Sequence, residues 1–292
     1  MNNSGGLRSG KGSGDENFPV ASRLIARKHR PVILAFYEFV RTADDIADHA
    51  TLTHAEKFAH LDSLERSLVT GDASEPEGVA LCAMLAERNL TNKHALDLLS
   101  AFRQDVTKNR YETWAELIDY CSRSAMPVGR FVLDVHGESP ATWPASDALC
   151  AALQIINHLQ DCGEDYRNLD RVYLPREALD VRHAAFESLG AEVAPPVLLA
   201  CIRDLVTRTQ ELLARSDGFA ASINDLRLSL EVAAIHSLAR RLCGILLVRD
   251  PLSDKTHLGK WPMLGTALCG GAGLLIRRLL GVGANGRRYQ PS

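Results

Sequence analysis

The sequence has little glycine over most of its length. Of the 21 glycines, five precede residue 15 and eight follow residue 258, so only eight lie in the 244 residues between. A chain rich in β-structure needs many more glycines for its tight turns. We therefore predict that the central part of the chain is helical, and no alternating apolar pattern of useful length opposes this.

The sequence also lacks the features that mark several other classes of protein. Its seven cysteines are widely spaced and include no Cys-x-x-Cys pair, which excludes a disulfide framework and a zinc cluster and favours a reducing, cytoplasmic compartment. The net charge of −3 offers no basic surface to a phosphate backbone, so we expect no nucleic-acid partner. Nothing in the sequence indicates a required protein partner.

No uncharged run is long enough to cross a membrane. The longest, residues 261–276, has 16 residues and four glycines, whereas a spanning helix needs about 20 apolar residues. Because Arg277 and Arg278 follow it, two interpretations stay open: a last helix at the edge of the bundle, or a helix lying in the membrane interface. In the second case the protein is peripheral at the inner membrane surface.

The chain is predicted to form a single all-helical domain over residues 16–281. Residues 1–15 hold five glycines and no apolar stretch typical of a signal peptide, so they are expected to be a flexible tail, as are residues 282–292. No internal repeat or Pro/Gly-rich linker divides the domain. Helices are predicted at 31–50, 53–71, 78–88, 93–108, 113–136, 146–168, 196–217, 222–248 and 261–280.

Two acidic clusters interrupt the apolar pattern of these helices. Each combines carboxylates spaced four residues apart, which project from one helix face one turn above the other. In the first cluster, YEFVRTADDIAD at 37–48, the side chains on that face are Tyr37, Arg41, Asp44 and Asp48. In the second, QIINHLQDCGED at 154–165, the polar stripe consists of Gln154, Asn157, Asp161 and Asp165.

The acidic clusters indicate a bound cation. Like charges four residues apart destabilise a helix by roughly a few tenths of a kcal/mol, so two such pairs on apolar helices favour a cation between them. Carboxylate oxygens suit Mg²⁺, which normally shares its coordination with substrate phosphates. For either cluster alone, a solvated helix face is the alternative. A di-iron bundle is excluded because the sequence has no Glu-x-x-His pair.

These motifs resemble those of the squalene/phytoene synthase family of head-to-head isoprenoid synthases. The resemblance spans about residues 17–250 and is carried by both acidic clusters and by RVYLP at 171–175. It implies an all-α isoprenoid synthase fold around a deep apolar cavity, with Mg²⁺ holding the diphosphate of a prenyl substrate. By this resemblance the metal ligands are Asp44, Asp48, Asp161 and Asp165. The supporting diphosphate-binding residues are Tyr37, Arg41, Gln154, Asn157, Arg171 and Tyr173.

Within the family, one branch is the most similar. The segments QDVTKNRY at 104–111 and YCSRSAMPVGR at 120–130 look most like those of bacterial enzymes that make hydroxysqualene in hopanoid pathways. The resemblance implies that diphosphate leaves presqualene diphosphate and that water captures the rearranged carbocation. The alternatives are a head-to-head condensing or reductive relative that uses farnesyl or a longer prenyl diphosphate, and a helical partner protein without activity.

Two positive charges found in most of the family are missing. Residues 15–18 read DENF where most relatives have a His-Ser-Lys-Ser-Phe-like segment, and Gln160 stands where most have arginine. Condensing enzymes need two anion sites, so these losses favour a substrate with one diphosphate. We therefore predict that farnesyl diphosphate binds poorly.

Arg130 is a further candidate for substrate binding. It follows Gly129 in a segment that the family places against the cavity, and Pro127 together with Gly129 is expected to kink this helix. Two interpretations of Arg130 stay open: it contacts phosphate or orients water, or it pairs with Asp134 one turn further on. His136 and His158 lie in apolar helices and are interpreted as core histidines.

Overall fold

A computed structural model gives the structure of residues 25–258 and of residues 266, 270, 271 and 274. Residues 25–258 form twelve α-helices, and their β-pairing is limited to one isolated bridge between Arg110 and Val172. The predicted all-α fold is confirmed. The helices are α1 Arg30–Ala47, α2 His54–Thr70, α3 Pro76–Arg88, α4 Lys93–Asp105, α5 Trp114–Ser124, α6 Met126–His136, α7 Trp143–Gln160, α8 Cys162–Leu169, α9 Arg176–Val181, α10 Pro196–Arg215, α11 Phe219–Ser222 and α12 Leu226–Leu246.

Local sequence signals account for the ends of α2. Thr53 and Glu56 form the predicted capping box, in which the Thr53 hydroxyl accepts from the Glu56 backbone N–H and the Glu56 carboxylate accepts from the Thr53 N–H at 2.8 Å. The helix ends at Gly71, whose φ of 72° lies in the left-handed region that favours glycine.

Two helices that the sequence predicts as continuous are broken. The helix predicted at 113–136 divides at Ala125 into α5 and α6, because Pro127 has no N–H to donate and its ring crowds the preceding turn. The kink expected from Pro127 and Gly129 therefore lies at Ala125, between α5 and α6. The helix predicted at 146–168 divides at Asp161 into α7 and α8. The short helices α9 and α11 were not predicted.

The buried apolar side chains form two clusters. The first joins α1, α2, α3 and α4, and the second joins α5, α7, α10 and α12. Helix α6 contributes Phe131 to the first cluster and Leu133 to the second, so it connects them. Helix α7 packs against α5, α6, α10 and α12, and its small buried residues Ala151 and Ala152 allow these neighbours to approach closely.

The predicted tails, the segment at 15–18 and most of the helix predicted at 261–280 lie outside the described residues. The four described residues of that helix are helical. A Cβ built on Gly270 would lie 2.4 Å from the Ser237 hydroxyl and 2.7 Å from the Ala233 carbonyl of α12. This close approach supports the interpretation of a last helix packed against the bundle. In the part of the chain that the structure describes, no helix combines the length and apolarity needed to span a membrane.

Candidate active site

A single cavity of about 610 Å³ is lined by all of the predicted site residues except Arg130. Helices α1, α4, α5, α6, α7, α8 and α12 contribute to its wall. Asp44, Asp48 and Asp161 keep between 34% and 39% of their side-chain surface exposed, whereas the apolar lining residues Phe36 and Phe131 are at most 4% exposed. The carboxylates therefore lie nearer the opening, and the apolar lining lies deeper.

The first acidic cluster occupies the carboxyl-terminal end of α1. Asp44 lies in the last turn and Asp48 is the C-cap residue, and that turn contains no basic residue. Carboxylates are unfavourable at this position because a helix carries partial negative charge at its carboxyl terminus. Lys57 of α2 offsets part of this charge by donating to the Ala47 carbonyl at 2.7 Å. The arrangement favours a further cation beside Asp44 and Asp48.

Arg41 lies one turn before these carboxylates on the same helix. Its Nη1 is 3.3 Å from Asp44 Oδ2, and its Nη2 donates to Asp45 Oδ1 at 2.8 Å. Asp45 is buried, so its pairing with Arg41 holds the guanidinium beside the cavity. Burial, and next the neighbouring Asp48 carboxylate, raise the pKa of Asp44 above its ordinary value.

The second acidic cluster lies at the break between α7 and α8. Asp161 is both the C-cap residue of α7 and the N-cap residue of α8, and its side chain makes no capping hydrogen bond. Its carboxylate instead lies 3.2 Å from His257 Nε2, a hydrogen bond that raises the pKa of His257. Asp165 follows in the first turn of α8, with its Oδ2 3.9 Å from His158 Nδ1.

The chain that follows α8 brings Arg171 and Tyr173 to the cavity. The Val172 N–H donates to the Asn109 carbonyl at 2.9 Å, which anchors this segment beside the end of α4. Arg171 is buried, with Nη2 3.0 Å from Asp48 Oδ1 and Nη1 3.3 Å from the Tyr173 hydroxyl. Arg171 therefore connects this segment directly to the first acidic cluster.

His158 belongs to the site and not to the closed core, so its interpretation as a core histidine is wrong. It lines the cavity, stacks on Tyr173 with 3.4 Å between ring centroids, and lies 3.1 Å from the Gln154 amide nitrogen. Its position on the polar stripe, one residue after Asn157, is a signal that sequence reasoning could have used.

Asp105 and Tyr120 are site residues that sequence reasoning did not assign. Asp105 ends α4, lines the cavity and accepts a hydrogen bond from the Tyr120 hydroxyl at 2.8 Å. Burial raises the pKa of Asp105 to about 7. The available signal was an acidic residue on the apolar face of α4, three residues after the buried Phe102.

Neither interpretation of Arg130 is correct. Its Nε and Nη2 donate to the two Asp147 oxygens at 2.8 and 2.6 Å, and its guanidinium lies 5.1 Å from the centre of the Trp143 ring. Arg130 therefore does not line the cavity, and Asp134 pairs instead with His94 at 2.9 Å. A two-pronged contact with a carboxylate on the adjacent α7 is stronger than a single contact along one helix.

Gln160 also lies away from the cavity. It is buried, and its amide nitrogen donates to the Thr256 carbonyl at 3.0 Å. In this structure the Gln160 side chain does not line the cavity, and the low affinity predicted for farnesyl diphosphate stays a prediction.

The donor set fits a magnesium ion that is shared with a phosphate ligand. Among the described residues, no three His, Cys, Asp or Glu side chains converge closely enough to hold a metal ion by themselves. Two pairs of aspartates nevertheless line one cavity, and Mg²⁺ commonly takes one or two carboxylates and completes its shell with water and phosphate oxygens. The four aspartate carboxylates carry more negative charge than Arg41 and Arg171 can neutralise. An anionic diphosphate therefore needs an additional cation to bind here.

Known proteins are similar to this chain in sequence and in fold. Residues 12–261 match the squalene/phytoene synthase family. The hydroxysqualene synthase of Rhodopseudomonas palustris is 54% identical over 283 residues, and that of Sinorhizobium fredii is 50% identical; each alignment covers 97% of both chains. The solved structure of squalene synthase HpnC from Alicyclobacillus acidocaldarius is 30% identical, with a TM-score of 0.65 over 90% of this chain and 88% of that one. The chain therefore belongs to the squalene/phytoene synthase family.

Proposed function

We propose that this enzyme converts presqualene diphosphate to hydroxysqualene and diphosphate, with Mg²⁺ as its cofactor. The observation that carries the proposal is one cavity that combines two pairs of aspartates with a deep apolar lining. The aspartates suit a metal-bound diphosphate, and the lining suits a long hydrocarbon. The relatives at 54% and 50% identity are named hydroxysqualene synthases, while the squalene synthase structure is 30% identical, which favours this branch over a condensing enzyme.

The first step breaks the bond between the substrate carbon and the diphosphate oxygen. The electron pair leaves with the oxygen, so negative charge grows on the diphosphate while a carbocation forms. Arg41 and Arg171 lie beside the carboxylates and stabilise that growing charge. When bound, Mg²⁺ supplies the Lewis acidity that neutralises the rest of it. Because Arg171 is buried and held by Asp48 and Tyr173, it needs little reorganisation during this step.

The apolar part of the cavity protects the carbocation from random capture. Phe36 and Phe131 stack there with ring centroids 3.8 Å apart. A lining of this kind excludes bulk water, so capture is restricted to a water molecule held at a defined position. The other buried apolar residues of the lining include Leu133, Leu149, Phe219, Leu228 and Val232.

Incubation of the purified full chain with defined substrates tests the proposal. With presqualene diphosphate and Mg²⁺, we expect hydroxysqualene as the main product by mass spectrometry, at a rate that NADPH does not change. Squalene formed only when NADPH is present would assign the protein to the reductive branch. Rapid formation of presqualene diphosphate from farnesyl diphosphate alone would assign it to the condensing branch.

Aspartate variants test the role of the acidic clusters. Asp44→Asn, Asp48→Asn, Asp161→Asn and Asp165→Asn should each lower diphosphate release by at least about 10²-fold, because each weakens electrostatic support for the leaving group. Excess EDTA should have the same effect. Asp97→Asn is the matched control, since Asp97 pairs with Lys93 and does not line the cavity. Full activity in EDTA, or in the Asp44→Asn/Asp161→Asn double variant, would contradict the metal mechanism.

A further inference from the structure

The Asp161 carboxylate is held by a loop and not by its own helices. Although Asp161 is the N-cap residue of α8, its side chain makes no capping hydrogen bond. In the first acidic cluster an arginine lies beside each carboxylate of the predicted metal site. Among the described residues, the side chain of Asp161 has one ion-pair or hydrogen-bond partner, His257, whose Nε2 lies 3.2 Å from its Oδ1. A carboxylate only accepts hydrogen bonds, so Nε2 is the donor in this contact.

Residues 250–257 form a loop that the surrounding chain anchors. The buried Asp250 at its start accepts a hydrogen bond from the Ala194 N–H at 2.8 Å. Leu252 packs so closely against α8 that a Cβ built on Gly163 would lie 2.6 Å from its Cδ2. The loop therefore follows a defined path to its last residue.

Two neighbouring residues at the helix break contact two neighbouring residues of this loop. The Gln160 amide nitrogen donates to the Thr256 carbonyl at 3.0 Å. The adjacent contact joins Asp161 to His257. Gln160 and Thr256 are at most 4% exposed, so water does not compete for their hydrogen bond. This buried bond fixes the end of the loop and places His257 beside Asp161.

His257 approaches Asp161 from outside the substrate space. Asp161 is the one described residue that lines both the substrate cavity and a smaller pocket of about 310 Å³ formed with the loop. His257 lines the smaller pocket and not the cavity. The imidazole therefore leaves the cavity free for a metal-bound diphosphate while it holds the carboxylate from the other side.

We propose that His257 is a positioning residue, which orients the Asp161 carboxylate toward Mg²⁺ bound to diphosphate. This inference rests on the proposed function. Carboxylates that bind metal ions are themselves oriented by hydrogen bonds from a second residue, and loss of such a residue typically lowers metal affinity by roughly 10–100-fold. The 250–257 loop, and not helical periodicity, supplies that second residue here.

Three variants separate this role from a purely structural one. His257→Phe keeps an aromatic ring and removes the N–H, whereas His257→Gln restores an N–H at about the position of Nε2. His236→Phe is the matched control, because His236 also contacts an aspartate, Asp217 at 3.5 Å, but lines neither the cavity nor the smaller pocket. The side chain of His257 is 41% exposed, so its variants are expected to fold.

The measurement is the Mg²⁺ concentration that gives half of the stabilisation by inorganic diphosphate. The melting temperature is followed at a fixed concentration of inorganic diphosphate while Mg²⁺ is increased, so no turnover is involved. We expect this concentration to rise by about tenfold in His257→Phe and to return most of the way to the wild-type value in His257→Gln. The His236→Phe control should match wild type.

Each other outcome has a distinct meaning. An unchanged Mg²⁺ requirement in His257→Phe overturns the inference, and so does a lower requirement, because the imidazole would then compete with the metal for Asp161. A raised requirement that His257→Gln does not restore also overturns it, since the ring and not its N–H would then matter. A wild-type protein that gains no stability from Mg²⁺ with diphosphate contradicts the metal site of the proposed function itself.

Discussion

Arg171 combines three contacts in a single buried side chain. It pairs with Asp48, bonds to the Tyr173 hydroxyl and donates to the Asp105 carbonyl. Arg171→Gln should therefore lower the free energy of unfolding by about 3 kcal/mol, because it leaves Asp48 and buried acceptors without their cation. Urea denaturation measures this effect. Arg182→Gln is the control: its pair with Asp204 lies at the surface and should contribute less than about 1 kcal/mol. Equal effects of the two variants would contradict the importance of burial.

The ionised Asp44 carboxylate is expected to lower the free energy of unfolding. Partial burial and the neighbouring Asp48 carboxylate raise the folded-state pKa of Asp44 to about 7, above the value of about 3.9 expected in the unfolded chain. Neutral Asp44 therefore favours the folded state below about pH 4, and this contribution is lost as the pH rises through about 7.

Asp44→Asn should accordingly raise the melting temperature at alkaline pH in the absence of metal, although it is expected to lower diphosphate release. The gain over wild type should grow from about pH 5 to about pH 8, because only the wild-type carboxyl becomes ionised there. Thermal unfolding across this range in EDTA measures it, with Asp97→Asn as the control outside the cavity. A lower melting temperature of Asp44→Asn at pH 8 would mean that the ion pair with Arg41 outweighs burial.

At the scale of the helices, close backbone approach controls packing. Gly78 of α3 lies against α2, where an added Cβ would be 2.6 Å from Ser67 Cβ and 3.0 Å from the Leu64 carbonyl oxygen. Gly78→Ala should therefore lower the unfolding free energy by about 1–3 kcal/mol, because α2 and α3 must separate. Chemical denaturation measures this change.

Gly244 of α12 provides the matched control for that prediction. No atom lies within 4 Å of a Cβ built there, so Gly244→Ala should stabilise the helix by roughly 0.5–1 kcal/mol through its better propensity. Opposite signs are expected for the two substitutions. If both stabilised the protein, α2 and α3 would not be in the close contact described.

The break between α7 and α8 leaves the polar stripe intact. The Asp161 N–H donates to the Asn157 carbonyl at 2.9 Å, and the Asp165 N–H donates to the Asp161 carbonyl at 2.8 Å. Helical spacing therefore continues through the break, and the four stripe residues line one cavity as the periodicity predicts. The side chain of Gln160, next to Asp161, instead reaches the Thr256 carbonyl.

For the whole molecule, the two acidic clusters should make metal and diphosphate binding mutually dependent. Neither Mg²⁺ nor inorganic diphosphate alone completes the site, because the carboxylates repel the anion and no described trio of ligands holds the metal. Together at about 100 times their joint dissociation constant, they should stabilise the fold by about 2.7 kcal/mol, seen as a higher melting temperature. The Asp44→Asn/Asp161→Asn variant should show no such gain. Equal stabilisation by diphosphate alone would contradict a shared metal.

The sequence by itself determined the helical class, the capping of α2 and the two aspartate clusters. These depend on local rules: glycine scarcity, side-chain spacing along one helix, and hydrogen bonds within a few residues. Their agreement with a family pattern also identified Arg171 and Tyr173, which follow the second cluster in the same segment. Side-chain spacing along the sequence was sufficient to predict features that lie within one helix or one short segment.

Only the tertiary structure decided which side chains share the cavity. Arg130 was mistaken for a site residue because its true partner, Asp147, lies on a different helix that no local spacing relates to it. Asp105 was missed for the same reason, since its hydrogen-bond partner Tyr120 lies on a different helix, α5. Contacts between distant elements depend on how whole helices pack, and packing is a property of the complete fold.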